Sequence, residues 1–227
     1  MRAEGSARGT LRDYGAAILV AVLLALLIRS FLIEAYRIPS ASMKPTLEAG
    51  DTIFVWKSAF GLRLPGARTP ISGTRQPRHG EVVIFSPPSD PARDYIKRVV
   101  GMPGDVVELK RGQLWLNGRN VTQDHGASAL CGQERLHGVA YGVCWEPPLL
   151  EDQAPVKVPP GSVFVLGDLR TRSSELGRRA GIGIIPMDAI KAKALLIWLS
   201  IEPRGSAAPA SGWFSRIRFE RMFRSIH

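Results

Sequence analysis

From Gly15 to Ile28 the chain carries no charged and no polar side chain. A helix that crosses a bilayer needs about 20 apolar residues, and this run falls short of that. Arg29 interrupts it, but a guanidinium at a helix end can snorkel to the interface, and Phe31, Leu32 and Ile33 then complete a span over residues 14–33. The alternative is the apolar core of a cleaved secretory peptide. No A-x-A site follows at the proper distance, since the next residues are Glu34-Ala35-Tyr36-Arg37-Ile38-Pro39. A retained anchor is the expectation. Arg2, Arg8 and Arg12 precede the span and Arg29, Arg37 and Lys44 follow it, so flanking charge does not orient it.

Beyond residue 50 the apolar runs are short and are punctuated by many of the 23 glycines and 17 prolines, which predicts a mainly β domain. Strands are expected at 51–56, 81–85, 95–100, 106–110, 113–117, 162–166 and 192–199. Arg111-Gly112 makes the turn of a hairpin, and a further turn falls at Asn117-Gly118. Residues 1–13 read as a charged tail and 58–80 as a long loop or ribbon. The β-rich domain is expected over 34–202, with an irregular inserted subdomain at about 119–160 that holds both cysteines. Cys131 and Cys144 either form a disulfide, closing a loop and contributing about 3 kcal/mol, or remain buried thiols. Residues 203–227 form a basic tail whose alternating apolar residues suit a membrane surface; a plain exposed polar tail reads equally well.

The formal charge of +10 favours anionic partners. No basic stripe interleaved with aromatics is present, so nucleic acid is set aside. With an apolar span ahead of the domain, the partner expected is a bilayer with anionic headgroups.

His79, His125, His137 and His227 all fall in polar loops or at the terminus, and no metal motif, phosphate-binding glycine loop or G-x-S-x-G elbow is present. An activated serine would therefore need another base, and lysine can serve only with its amine neutral. Burial moves it in that direction, because the ammonium loses its water. In Asp94-Tyr95-Ile96-Lys97-Arg98-Val99-Val100, strand alternation puts Lys97 on one face with Tyr95 and Val99; spacing alone also allows an edge-strand lysine reaching solvent. Ser40 and Ser42 lie between Pro39 and Pro45, which stiffen the segment away from helix. By composition that segment is equally an ordinary polar linker.

Together these residues carry a resemblance. Residues 29–47, ending in Ile38-Pro39-Ser40-Ala41-Ser42-Met43-Lys44-Pro45-Thr46-Leu47, resemble the membrane exit and nucleophile box of bacterial type I signal peptidases. Asp94 to Asp105 resembles their lysine box. Gly50-Asp51, residues 80–85 and residues 113–118 are similar to the family's intervening strands and hairpin, in the family's order. The similarity runs from about residue 14 to 200 and is weak across 119–160.

The resemblance implies a signal-peptidase-like β-fold with one N-terminal transmembrane helix, and a Ser/Lys serine protease with no cofactor and no metal. Ser42 would be the nucleophile and Lys97 the general base. The Ser42 N–H and the Ser40 hydroxyl would form the oxyanion hole, and Tyr36, Ile38, Pro39 and Ile96 would line shallow pockets for small side chains. In a third box, Gly167 to Glu175, Ser173 would orient the Lys97 amine and Asp168 would pair with Arg98. Here the chain departs from the family: Leu169 stands for Asn, Thr171-Arg172 for Asp-Asn, Glu175 for Asp and Leu176-Gly177 for Ser-Arg. The implied substrates are signal-peptide-bearing preproteins and the further partner is the export translocon. The implied location is a bacterial inner membrane, with residues 1–13 cytoplasmic and the catalytic domain on the exported side. Two other readings stand beside this one: a Ser/Lys protease dedicated to one pilus or conjugation protein, and an inactive membrane-tethered binding domain.

Overall fold

The computed structural model describes residues 13–24, 32–61, 75–124, 130–147, 152–171, 183–203 and 214–227. Among these, fifteen strands follow in order: β1 (Ile33–Arg37), β2 (Asp51–Trp56), β3 (Val82–Phe85), β4 (Tyr95–Gly101), β5 (Val106–Lys110), β6 (Gln113–Leu116), β7 (Arg119–Asn120), β8 (Thr122–Asp124), β9 (Cys131–Leu136), β10 (Val139–Trp145), β11 (Gln153–Lys157), β12 (Ser162–Leu166), β13 (Leu169–Arg170), β14 (Gly183–Pro186) and β15 (Ile190–Ser200). A seven-stranded sheet runs β1-β2-β15-β3-β4-β12-β14, and two four-stranded sheets run β13-β10-β9-β8 and β11-β5-β6-β7. The mainly β expectation holds.

Local chemistry explains the pairing. In β2 the inward residues Ile53 and Val55 are fully buried between partly exposed neighbours, the period of two of a sheet with one covered face. Strand β3, by contrast, is buried at every position and lies between β15 and β4. Arg111-Gly112 and Asn117-Gly118 take positive φ at both residues and turn β5 into β6 and β6 into β7. One apolar cluster, including Ile38, Met43, Leu47, Ile53, Ile84, Ala194 and Ile226, fills the space beneath residues 38–50. A second joins β5, β6, β9 and β10 through Val107, Leu114, Leu136 and Val143.

Three expectations change. Residues 13–24 are helical, and no helix among the described residues is long and apolar enough to cross a membrane. Ile33, assigned to the span, instead opens β1, where it pairs with Trp56 and its extended backbone is held by the sheet. Residues 25–31 lie outside the described residues. The described residues of 119–160 are not irregular: they supply β7 to β11, and β9 and β10 run antiparallel over six residue pairs from Val139↔Leu136 to Cys144↔Cys131. Residues 214–227 are not a free tail. They lie along β15, where Ile197 N–H donates to Arg224 O and Phe223 N–H to Ile197 O, and Ile226 is buried in the cluster beneath residues 38–50.

Candidate active site

The segment that carries Ser42 is fastened at both ends. Ile38 N–H donates to Asp51 O at 2.8 Å and Gly50 N–H to Ile38 O at 2.9 Å, which closes residues 38–51 into a loop. Inside it, Lys44 N–H donates to Ala41 O and Leu47 N–H to Met43 O, a compact turn around the serine. Met43 and Leu47 are fully buried, and each such side chain is worth about 1.5–3 kcal/mol on burial. Ser42 itself is partly exposed. The apolar residues around it hold the turn down, and Ser42 keeps part of its surface in solvent. Ser40 Oγ donates to Ser42 Oγ at 3.3 Å.

Lys97 comes from β4, where it pairs with Val83 of β3, and only 1% of it is exposed. Gly167 is where the two sequence motifs meet. A Cβ on Gly167 would lie 2.6 Å from Ser42 O and 3.2 Å from Lys97 Nζ. Both groups therefore converge on one point that only glycine leaves open. The Gly167 carbonyl accepts from Arg170 Nε at 2.8 Å, and Leu169 N–H donates to Ser42 O at 3.2 Å.

Next to Lys97, Arg98 is fully buried and grips Asp168 with both arms of its guanidinium: Nε to Oδ1 at 2.8 Å and Nη2 to Oδ2 at 2.7 Å. It also donates to Gly80 O at 2.6 Å and to the main-chain oxygen of His227, and its guanidinium carbon lies 4.0 Å over the Tyr141 ring. Burial works against the charge, and the Asp168 carboxylate outweighs it, so the guanidinium is held above its ordinary pKa. Thr46 Oγ1 donates to Asp168 Oδ2 at 2.5 Å and accepts from Arg98 Nη2 at 3.1 Å. The serine turn is thus tied to the lysine strand through Thr46, Asp168 and Arg98.

A second buried pair supports the first. Arg170 Nη2 meets Glu134 Oε2 at 2.5 Å with both side chains fully buried, and Arg170 Nη1 donates to Gly112 O. Tyr141 OH donates to Glu134 at 2.7 Å; burial, followed by the Glu134 charge, drives that phenol well above its usual range. Strand β10 also abuts the serine turn directly: a Cβ on Gly142 would stand 2.7 Å from Pro45 Cγ, and Lys44 reaches Glu146 at 3.5 Å. Cys131 and Cys144 are bonded at 2.04 Å, and Cys144 N–H donates to Asp168 O at 2.9 Å.

On the other side of the serine segment, Tyr36 and Ile96 are partly buried against the cluster that holds Ile38, while Pro39 is exposed. Tyr36 OH donates to Asp94 Oδ2 at 3.2 Å, and Asp94 also takes Ser86 and Lys191. Burial, then the Asp94 charge, raises the Tyr36 phenol. Ser173 lies outside the described residues. Among the described residues no group of three His, Cys, Asp or Glu is placed to hold a metal ion. A cleft of about 500 Å³ beside Leu116, Arg119, Arg135 and His137 contains neither Ser42 nor Lys97.

Several contacts lay beyond sequence reasoning: the Glu134–Arg170 pair, the Thr46 bridge, the close approach at Gly167, and the seat of residues 214–227. Thr46 and Gly167 sit inside recognised motifs, which is the one signal that could have drawn attention to them. Glu134 had none, being a lone acid in a polar stretch.

Comparison with known proteins adds a family. Residues 11–199 match "Signal peptidase, peptidase S26". The chain is 37% identical over 223 residues to a Signal peptidase I of Pseudomonas fluorescens, covering 90% of this chain and 78% of that protein. It is 36% identical over 223 residues to a Signal peptidase I of Pseudomonas aeruginosa, with the same coverage. It is also 36% identical over 181 residues to Signal peptidase I T of Bacillus subtilis, covering 80% of this chain and 81% of that one.

Proposed function

The chain belongs to the signal peptidase family, peptidase S26, and on that premise we propose that it is a serine endopeptidase that removes N-terminal signal peptides from exported preproteins, with Ser42 as nucleophile and Lys97 as general base. One observation carries the reading. Lys97 is buried, and its Nζ would lie 3.2 Å from a Cβ on Gly167, a position 2.6 Å from the main-chain carbonyl oxygen of Ser42, so the amine and the serine turn flank the same glycine.

Each step conserves its protons. Lys97 acts as a neutral amine, and removal from water favours that form over the ammonium. It takes the Ser42 hydroxyl proton as Oγ bonds to the scissile carbonyl carbon. The tetrahedral oxyanion is met by the Ser42 N–H and the Ser40 hydroxyl; one such donor is worth about 3–4 kcal/mol. As the C–N bond breaks, the Lys97 ammonium returns the proton to the leaving amine, leaving an ester on Ser42. Water then attacks the ester carbonyl as Lys97 takes its proton; the Oγ–C bond breaks, the Lys97 ammonium returns that proton to Ser42 Oγ, and the signal peptide departs as an acid that ionises to a carboxylate in water. Arg98 and Asp168, outside the reacting atoms, fix β4 against the serine turn. Tyr36, Ile38, Pro39 and Ile96 form the shallow apolar wall that admits small side chains near the cut.

The apolar stretch that precedes β1, from residue 14 to 32, acts as the anchor, and the basic surface meets anionic headgroups. The protein then sits in the inner membrane with its β domain on the exported side, where the translocon delivers substrates. The departures across 169–177 favour a narrower specificity as the second reading, a protease for one pilus or conjugation protein. A panel of preproteins separates the two. The test of the main reading is incubation of wild type and Ser42→Ala with a preprotein, the cut located by mass spectrometry. Wild type should release the mature chain, and Ser42→Ala should leave the preprotein whole.

A further inference from the structure

Residues 214–227 contact the loop that carries Ser42 and, through Arg98, the strand that carries Lys97, without supplying a reacting group. Arg221 Nη2 meets Asp51 Oδ2 at 2.7 Å, Arg221 Nη1 meets Glu48 Oε1 at 3.1 Å, and Nη2 also donates to Thr46 O at 3.3 Å. Arg218 Nη1 meets Glu48 Oε2 at 2.6 Å, and its Nη2 reaches Asp51 Oδ1 and Ala49 O, both at 3.0 Å. Two guanidiniums thus grip two carboxylates and two carbonyls within six consecutive residues, the limb of the loop that leads from Ser42 into β2. Asp51 is fully buried and Arg221 nearly so, so this is not a solvated surface pair, where screening and side-chain entropy leave little. Ile226 packs in the cluster that contains Ile38, Met43 and Leu47, with Met43 next to Ser42 in the chain. The main-chain oxygen of His227 accepts from Arg98, next to Lys97.

A segment that serves only to cover β15 needs its main-chain bonds to Leu195 and Ile197 and no buried arginines. The charges are spent instead on the serine loop. We propose that residues 214–227 are a positioning strap that sets Ser42 relative to Lys97, with Arg221 and Ile226 as its main positioning residues. This rests on the Ser42–Lys97 reading. A misplacement of about 1 Å remote from the chemistry can cost on the order of 10²-fold in rate, so the strap acts chiefly on kcat, most cleanly through Arg221, whose bonds go to Thr46, Glu48 and Asp51.

The test uses the full chain in detergent, with kcat and KM on a preprotein measured well below the thermal midpoint of each variant. Arg221→Ala should lower kcat at least ~10-fold at near-constant KM, and Arg221→Lys should recover part of that loss. Phe219→Ser, at an exposed strap position, should match wild type. If Arg221→Ala does not fold, Ile226→Ala carries the test and should also lower kcat. A folded Arg221→Ala or Ile226→Ala with wild-type kcat and only a lowered midpoint would overturn the strap. Wild type that leaves the preprotein whole, or Ser42→Ala that still cleaves, would overturn the catalytic reading itself. Ser42-dependent cleavage with unaffected strap variants removes the strap alone.

Discussion

The main-chain N–H of Leu169 donates to the carbonyl oxygen of Ser42 at 3.2 Å. The contact is made by backbone, so it does not depend on the side chain at position 169. The Leu169 side chain is buried instead. Cys144 N–H holds Asp168 O one residue away, and Arg170 Nε holds Gly167 O. Among these groups the Leu169 N–H reaches the serine turn, while the Gly167 and Asp168 carbonyls are held by Arg170 and Cys144.

At Gly167 a side chain has no room. Gly167→Ala places a methyl 2.6 Å from Ser42 O, a backbone atom that cannot swing aside. Preprotein cleavage should fall on the order of 10²-fold, chiefly in kcat, and steady-state kinetics on the folded variant checks this.

Glu134→Gln removes the charge that the buried Arg170 faces at 2.5 Å. Breaking one partner of a buried pair costs about 3–5 kcal/mol. The midpoint of denaturant unfolding should fall accordingly, and a shift near zero would show that Gly112 O and Gly167 O suffice to hold the guanidinium.

Acid should weaken the fold through Asp51. Burial raises its pKa, but hydrogen bonds from Arg221, Ser200 and the Glu48 N–H outweigh this and hold the carboxyl below its ordinary value. Because the folded pKa lies below the unfolded one, the stabilisation is complete above about pH 4 and is lost as pH falls through the folded value. Asp51→Asn should be less stable than wild type at about pH 7 and should lose less on going to about pH 3. Unfolding measured at both pH values checks the sign.

Five of the seven strands of the large sheet were legible because they obey simple patterns, while β1 and β14 were not. Asp51–Trp56 alternates, Val82–Phe85 is an unbroken β-branched and aromatic run, and Ser162–Leu166 is apolar at four of five positions. In the smaller sheets only the β5–β6 hairpin was legible. Strand β9 reads Cys-Gly-Gln-Glu-Arg-Leu, and its one buried charge, Glu134, resembles a loop residue until Arg170, 36 positions on, is seen to neutralise it. The hairpin turn at His137-Gly138 has positive φ at both residues but lacks the asparagine that advertised Asn117-Gly118. The strap was hidden for the same reason as Glu134: Arg221 is a basic residue in a basic tail, and its carboxylate partner Asp51 lies 170 positions away. Local pattern reports burial of apolar side chains, and charges buried in pairs escape it. The motif residues themselves were legible, while the glycine that lets them approach was not distinguished from its neighbours.

The central claim is that a lysine amine, not an ever-charged group, drives the serine. Lys97→Arg keeps the positive charge but leaves no neutral base. Cleavage of one preprotein by wild type, Ser42→Ala and Lys97→Arg, each shown to be folded, tests this most directly. Turnover by wild type with none by either variant is the predicted result; cleavage by folded Lys97→Arg within about tenfold of wild type, under about 1.4 kcal/mol of barrier, would contradict it.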